Sequence, residues 1–302
     1  MTKGVLRGIR SELTVDDAGF PEPLKLIRRP PERLYVIGSV DALKAGLAVI
    51  GARKATPYGI GCARRFARIA AEKGVIIISG GARGCDSEAH RAALEAGAPT
   101  VVFLGGGCDR VYPAEHFELF QRIVDAGGAV VSENPWDFVP LPYTFRDRNR
   151  LIAGLADAVL IVEAGLPSGT FSTADEALEA GKEVLVVPGS IMSAESRGSN
   201  RLLYQGAVPI VDDESFEDAL FNACGALRRP GRDDLQDREL HPVISAILAA
   251  PQTLDDLYAI AEQSFGRDDA REKLMELIID AEAAHVIARR PDGKWGPTVR
   301  SS

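Results

Sequence analysis

The 302-residue sequence predicts an α/β fold: a Rossmann-like, mostly parallel sheet with helices on both faces, followed by a small C-terminal winged-helix-like domain. Three observations point there. From Leu47 onward, short apolar runs alternate with segments of helical periodicity. The runs are continuous and rich in β-branched residues, as in strands buried on both faces. Beyond residue 241 the pattern changes to three amphipathic stretches and a short hairpin.

Local signals justify each element in turn. Leu47–Ile50 is the first apolar run and ends in Gly51. Thr56-Pro57 opens a helix, Thr as N-cap and Pro at the first helical position. That helix runs to about Lys73 and stops at Gly74. Strands are then expected at Val75–Ile78, Thr100–Leu104, Ala129–Ser132, Ala158–Val162 and Val184–Val187. Helices are expected at Asp86–Glu95, Ala114–Ala126, Arg150–Leu155 and Thr173–Ala180. Alternating β and α implies an open parallel sheet. Residues 1–45, with prolines at 21, 23, 30 and 31, read as an extended arm. The Rossmann-like domain spans 46–224, a charged linker 225–241 and the winged-helix-like domain 242–302. In that tail Thr253-x-x-Asp256 resembles a capping box, and Pro291-Asp292-Gly293 reads as the turn of the hairpin.

Composition excludes several classes. With 46% hydrophobic and 26% charged residues the chain is that of a folded globular protein. No apolar run approaches the ~20 residues of a membrane span, and Met1–Leu13 lacks a signal-peptide core, so a cytoplasmic location is expected. Cysteines 62, 85, 108 and 224 show no CxxC spacing, which argues against a zinc ribbon or redox motif, and Cys62 reads as a buried thiol. The net charge of −8 gives no bulk attraction to nucleic acid; any phosphate site must be a local basic patch.

Such patches are predicted at the carboxyl ends of the strands, where open parallel sheets bind ligands. Gly51-Ala52-Arg53, Ser79-Gly80-Gly81-Ala82-Arg83-Gly84, Gly105-Gly106-Gly107 with Asp109-Arg110, Ser168-Gly169-Thr170 and Pro188-Gly189-Ser190 all fall there. Glycines let backbone N–H groups approach an anion, and arginine adds bidentate contacts. Some of these glycines serve only tight turns. A second segment, Thr144-Phe145-Arg146-Asp147-Arg148-Asn149-Arg150, gathers cations and an aromatic ring, the residue types that grip a backbone and stack a base. Asn149 can bond a base edge or cap the helix. The segment reads equally as a solvated charged turn with Phe145 in the core. The sequence holds no GxxxxGK(S/T) loop, no complete dinucleotide fingerprint and no HExxH spacing, and no cofactor is expected.

Read together, these loops resemble the DNA-processing protein A family, also called Smf. The matching segments run in order through Gly51-Ala52-Arg53 with Thr56-Pro57-Tyr58-Gly59, Ala82-Arg83-Gly84-x-Asp86, Asp109-Arg110-Val111-Tyr112-Pro113, Phe145 through Arg148-Asn149-Arg150, Ser168-Gly169-Thr170 and Arg197-Gly198-x-Asn200. The resemblance covers about residues 20–215; the tail resembles the winged-helix module of many members, whereas the helical module that precedes the core in many of them is expected to be absent. Cys85 and Cys108 stand where aliphatic residues are usual. The resemblance implies an adaptor without catalytic residues: it binds incoming single-stranded DNA in natural transformation, forms a homodimer and helps load RecA recombinase. Carried over, Arg53 and Arg148 are backbone contacts, Phe145 the stacker, and Ser79, Gly80, Gly169 and Thr170 shape the pocket; Arg83, Arg110, Arg146 and Asn149 complete the expected DNA-binding set.

Asp86 and His90 lie one helical turn apart and have acid–base spacing. The reading preferred here is structural, with Asp86 capping its helix and orienting Arg83. Apolar residues Leu202, Leu203, Phe216, Leu220 and Phe221 suggest a dimer face at the end of the core.

The runner-up reading is a nucleotide-processing enzyme of the related phosphoribohydrolases, whose PGGxGTxxE signature is broken here by Thr173. A nucleotide-sensing module is the third. In the tail, acids around the third helix outnumber bases, which disfavours insertion into a DNA groove and favours a structural or protein-contact role; Arg289, Arg290, Lys294 and Arg300 leave weak wing contact to phosphate open.

Overall fold

The expected alternation closes into one sheet of nine strands. The computed structural model describes residues 4–166, 168–226, 242–249, 252–267, 269–283, 287–290 and 293–297. The chain divides into two units, 1–228 and 229–302.

In chain order the first unit comprises β1 (Arg10–Thr14), α1 (Glu22–Lys25), β2 (Arg33–Gly38), β3 (Gly46–Ile50), α2 (Pro57–Glu72), β4 (Ile77–Gly80) and α3 (Cys85–Glu95). It continues with β5 (Thr100–Phe103), α4 (Phe117–Asp125), β6 (Ala129–Ser132), α5 (Thr144–Asp147), α6 (Asn149–Leu155) and β7 (Ala156–Ile161). It ends with α7 (Thr170–Glu179), β8 (Glu183–Val186), α8 (Arg197–Tyr204), β9 (Val208–Pro209) and α9 (Asp213–Cys224).

The strand order is β1-β2-β6-β5-β4-β3-β7-β8-β9. All neighbours from β6 to β9 are parallel, and β2 runs antiparallel to both β1 and β6. From β3 the chain winds outward through β4, β5 and β6, then returns to lay β7 on the opposite flank of β3. The winding therefore reverses between β3 and β7, where a crevice opens beyond the strand ends.

Residues 4–45 are not an extended arm: they hold the one-turn helix α1 and two strands, β1 and β2, that join this sheet. Leu34, Val36 and Ile37 of β2 are fully buried, and Leu24 and Ile27 pack in the core. Pro21 and Pro23 stand at the N-cap and in the first turn of α1, where proline is tolerated, and Pro30 and Pro31 precede β2, which is why their density misleads. Strand β4 begins two residues later than expected and carries Ser79 and Gly80 inside the sheet.

Helix α2 forms as its sequence dictates. The Thr56 side chain accepts the Gly59 N–H, Pro57 occupies the first turn, and Ala63, Phe66, Ala67, Ala70 and Ala71 make one buried stripe. Phe66 meets Phe216 of α9 at 4.7 Å between ring centroids. Leu202, Phe216 and Leu220, expected on a dimer face, are core; Phe221 remains 46% exposed. Cys85 and Cys108 are buried and Cys62 is half-buried against the core.

The second unit contains α10 (Pro242–Ala249), α11 (Leu254–Phe265), α12 (Ala270–Ala283) and an antiparallel pair, β10 (Ile287–Arg289) with β11 (Trp295–Pro297). Thr253 and Asp256 form the anticipated reciprocal cap of α11. The linker residues 227–241 and the Pro291-Asp292 part of the turn lie outside the described residues. No described helix is long and apolar enough to cross a membrane.

Candidate functional site

The carboxyl end of β3 leads directly into Gly51-Ala52-Arg53, and the loop after β7 leads into Ser168-Gly169-Thr170 at the start of α7. Between them lies a crevice of about 390 Å³. Its basic wall is Arg53, Arg146 and Arg148, with Phe145 and Asn149 beside them; Gly169, Thr170 and Thr173 face them from α7. The N-terminus of α7 adds backbone N–H groups and positive dipole to the cations. Thr170 N–H already donates to Ser168 Oγ, which orders the loop at this end.

Arg148 is the anchor of the wall. Only 6% of it is exposed, and its Nη1 donates to the Phe103 carbonyl at the end of β5. Its Nε has no hydrogen-bond partner among the described residues. Burial pushes the guanidinium down to about 10, with Asp86 opposing the shift, so it remains cationic at neutral pH. Burial in turn pushes the Asp86 carboxyl up, while Arg148 and the N–H groups of Ala82 and Gly51 favour its ionised form. The site thus holds one buried cation whose charge is only partly balanced, and a second, exposed one at Arg53. Arg53 lies 5.6 Å from the Phe145 ring centroid, within cation–π reach.

Two glycines make this possible. At Gly80 a β-carbon would collide with the Arg148 guanidinium and the Asp86 carboxylate. Gly84, at φ +76°, turns the chain into α3 against the Ala52 carbonyl, so that Cys85 N–H donates to that carbonyl. Behind Gly80, His90 is fully buried, with Nε2 3.0 Å from the Gly80 carbonyl and Nδ1 2.8 Å from Thr100 Oγ1. Both ring nitrogens are engaged there, which leaves the acid–base pairing with Asp86 without a geometric basis.

A smaller cleft adjoins the crevice on the far side of Arg53, Phe145 and Arg148. Its other lining includes Gly81, Arg83, Leu104, Gly105 and Tyr112, and it measures about 60 Å³.

The structure therefore brings Arg53, Phe145, Arg146, Arg148, Asn149, Gly169 and Thr170 together around one crevice, with Arg83 in the adjoining cleft. Other expectations change. Asp86 does not orient Arg83; it faces Arg148, and Arg83 forms a two-pronged pair with Glu115. Ser79 is buried, its hydroxyl donating to the Val49 carbonyl, and Gly80 makes room for Arg148 instead of lining the crevice. Arg110 lies outside both cavities, with Nε donating to the Asp137 carbonyl. Asn149 donates to Ser172 Oγ and so ties α6 to α7. Tyr112 stands beside Phe145, and nothing local in the sequence places it there.

The profile of the DNA recombination-mediator protein A family matches residues 11–220. The chain belongs to that family. It is 40% identical to protein Smf of Escherichia coli over 205 residues, covering 68% of this chain and 55% of that protein. It is 32% identical to DNA processing protein DprA of Bacillus subtilis over 210 residues, covering 69% and 70% respectively. Among solved structures, DNA processing protein A from Streptococcus pneumoniae superposes with a TM-score of 0.63 at 32% identity, covering 68% of this chain and 72% of that one. The protein from Helicobacter pylori, whose structure is described as revealing a unique single-stranded DNA binding mode, superposes with a TM-score of 0.64 at 33% identity, covering 70% and 96%. The chain spans a little over half the length of the curated Smf relative from E. coli, at 55%, and of the one from Synechocystis, at 57%.

Proposed function

We propose that this chain is a single-stranded DNA-binding adaptor that acts in natural transformation or recombination: it protects incoming DNA, works as a cytoplasmic homodimer and helps load RecA recombinase. The crevice at the reversal between β3 and β7 carries the reading. It sets Arg53, Arg146 and Arg148 against the N-terminus of α7 in a chain whose overall charge is −8. Cations and N–H donors follow a phosphodiester backbone, and Phe145 supplies a ring on which bases stack irrespective of sequence. The Helicobacter pylori relative, a single-stranded DNA binder by its description, supports the same choice. RecA loading and dimerisation rest on family membership.

The adaptor role involves no catalytic residue. The lining from α7 ends at Thr173, and the nearest acid beyond Asp175, Glu176, pairs with Arg29.

A competition assay tests the proposal, with a single-stranded oligonucleotide, the duplex of the same sequence and free mononucleotides, each at two salt concentrations. The single strand is expected to win at both, with affinity falling as salt rises. Equal affinity for duplex at every salt refutes it.

A further inference from the structure

Beyond the ends of β7 and β8 lies another cavity, of about 470 Å³, that shares no lining residue with the crevice or the small cleft. Glu163, two residues past β7, stands in its wall and is only 2% exposed. Thr56, at the start of α2, donates to it twice: its N–H to Oε2 at 2.8 Å and its hydroxyl to Oε1 at 2.6 Å. Gly59 lets α2 come this close, because a β-carbon there would meet the carboxylate. The two bonds and the N-terminal dipole of α2 offset part of the charge. A carboxylate accepts about four bonds, however, and Glu163 has no ion-pair partner among the described residues. The other buried acid, Asp86, faces Arg148, and the buried Arg150 pairs with Glu133. A buried charge without a counter-charge is costly, and here it faces a cavity.

The remaining walls are hydroxyls and a ring. Tyr58 stands half-exposed at the mouth, and its hydroxyl donates to the Pro188 carbonyl at 2.7 Å, which ties α2 to the loop after β8 and fixes the ring. Burial pushes its phenol up to about 12, with Cys62 and Glu163 adding to the shift, so it stays neutral. Ser196 is 5% exposed and lines the cavity, and its hydroxyl has no hydrogen-bond partner among the described residues. Ser190 Oγ accepts the Met192 N–H and has a further lone pair. The described residues hold no group of three metal-ligating side chains, and one carboxylate among hydroxyls does not make a metal cage. A counter-charge, oxygen acceptors and an aromatic face within ~6 Å are the means of recognising an organic cation. A compact ammonium suits them better than a guanidinium, whose planar fork needs both carboxylate oxygens, and those are held by Thr56.

We propose that this cavity binds a primary alkylammonium group, with Glu163 as its counter-charge, Ser196 and Ser190 as acceptors and the Tyr58 ring across its mouth. The inference goes beyond the DNA reading and does not depend on it, since the two sites have no lining residue in common. The same chemistry is carried by a free polyamine and by a lysine side chain.

The test titrates the isotope-labelled full chain with n-butylammonium at physiological ionic strength and follows the Gly59 and Gly189 amides by NMR. Saturable binding is expected, with none for 1-butanol, which has the same shape without the charge. Glu163→Gln is expected to weaken binding at least tenfold. Tyr58→Leu, at a half-exposed position that keeps the test available if Glu163→Gln does not fold, is expected to weaken it about two- to fivefold. Butane-1,4-diamine and Nα-acetyl-lysine N-methylamide are compared in the same way: tighter binding of the diamine assigns the site to a free polyamine, and tighter binding of the blocked lysine to a protein side chain. No saturable binding of any of the three amines, equal binding of butanol, or wild-type affinity in folded Glu163→Gln or Tyr58→Leu overturns the inference and leaves the single-strand reading standing.

Discussion

Gly80 and Arg148 are in direct contact, the glycine leaving only the space that the guanidinium fills. Strand β4 ends there, and the buried His90 holds the Gly80 carbonyl from behind. The position of the buried cation is thus set by backbone from β4 and β5 as much as by its own helix. Gly80→Ala is expected to displace the Arg148 side chain, weaken single-strand binding at least tenfold and cost about 1–3 kcal/mol of stability through overpacking. Titration with a labelled oligonucleotide and urea unfolding measure the two effects separately.

Removing the exposed cation should separate binding from folding. Arg53 is solvent-exposed, so Arg53→Ala is expected to weaken binding while leaving the thermal midpoint within a few degrees of wild type. Arg148→Ala behaves otherwise, because it removes the cation facing the buried Asp86 carboxyl and the donor to the Phe103 carbonyl, so stability is expected to fall together with affinity. Phe145→Ala is expected to cost roughly 1–3 kcal/mol of binding free energy. Unchanged affinity in folded Arg53→Ala contradicts the site.

Freeing Arg83 should strengthen binding. Glu115 occupies both arms of its guanidinium. Glu115→Gln removes the competing charge, so affinity at low salt is expected to rise about two- to fivefold. The slope of log affinity against log salt should steepen by up to one counterion. A loss of affinity would show that the ion pair serves binding instead of competing with it.

The pH dependence of stability should carry the mark of His90. Burial pushes its imidazole down to about 4, against an unfolded value near 6.5. Between those values the unfolded chain binds the extra proton, so stability falls as pH drops from about 6.5 towards 4. The loss amounts to about 3 kcal/mol at the low end. Urea unfolding of His90→Gln across that range should show a shallower slope than wild type.

Incubation with nucleoside monophosphates should release no free base above background. Among the described residues that line the crevice the one buried acid, Asp86, accepts from two backbone N–H groups and faces Arg148. Base release detected by chromatography and abolished in Asp86→Asn would replace the adaptor with an enzyme.

The order of strands and helices in the core was legible because each element carries local marks: Thr56-Pro57 at a helix start, Gly74 and Gly97 at helix ends, β-branched runs of strand length between them. The arginine and glycine loops were legible as a set because a parallel sheet delivers every strand's carboxyl end to one rim. Local marks failed where long-range pairing decides. Nothing near Arg33 says that β2 will lie antiparallel beside β6, some ninety residues on. Partners across the site were hidden for the same reason: Arg83 and Asp86 are neighbours in sequence, yet one turns outward to Glu115 and the other inward to Arg148. Residue type and spacing settle which groups a helix or loop presents. Which charge meets which, and that Tyr112 stands against Phe145, depends on how the sheet stacks distant strands side by side, and only the tertiary structure decides it.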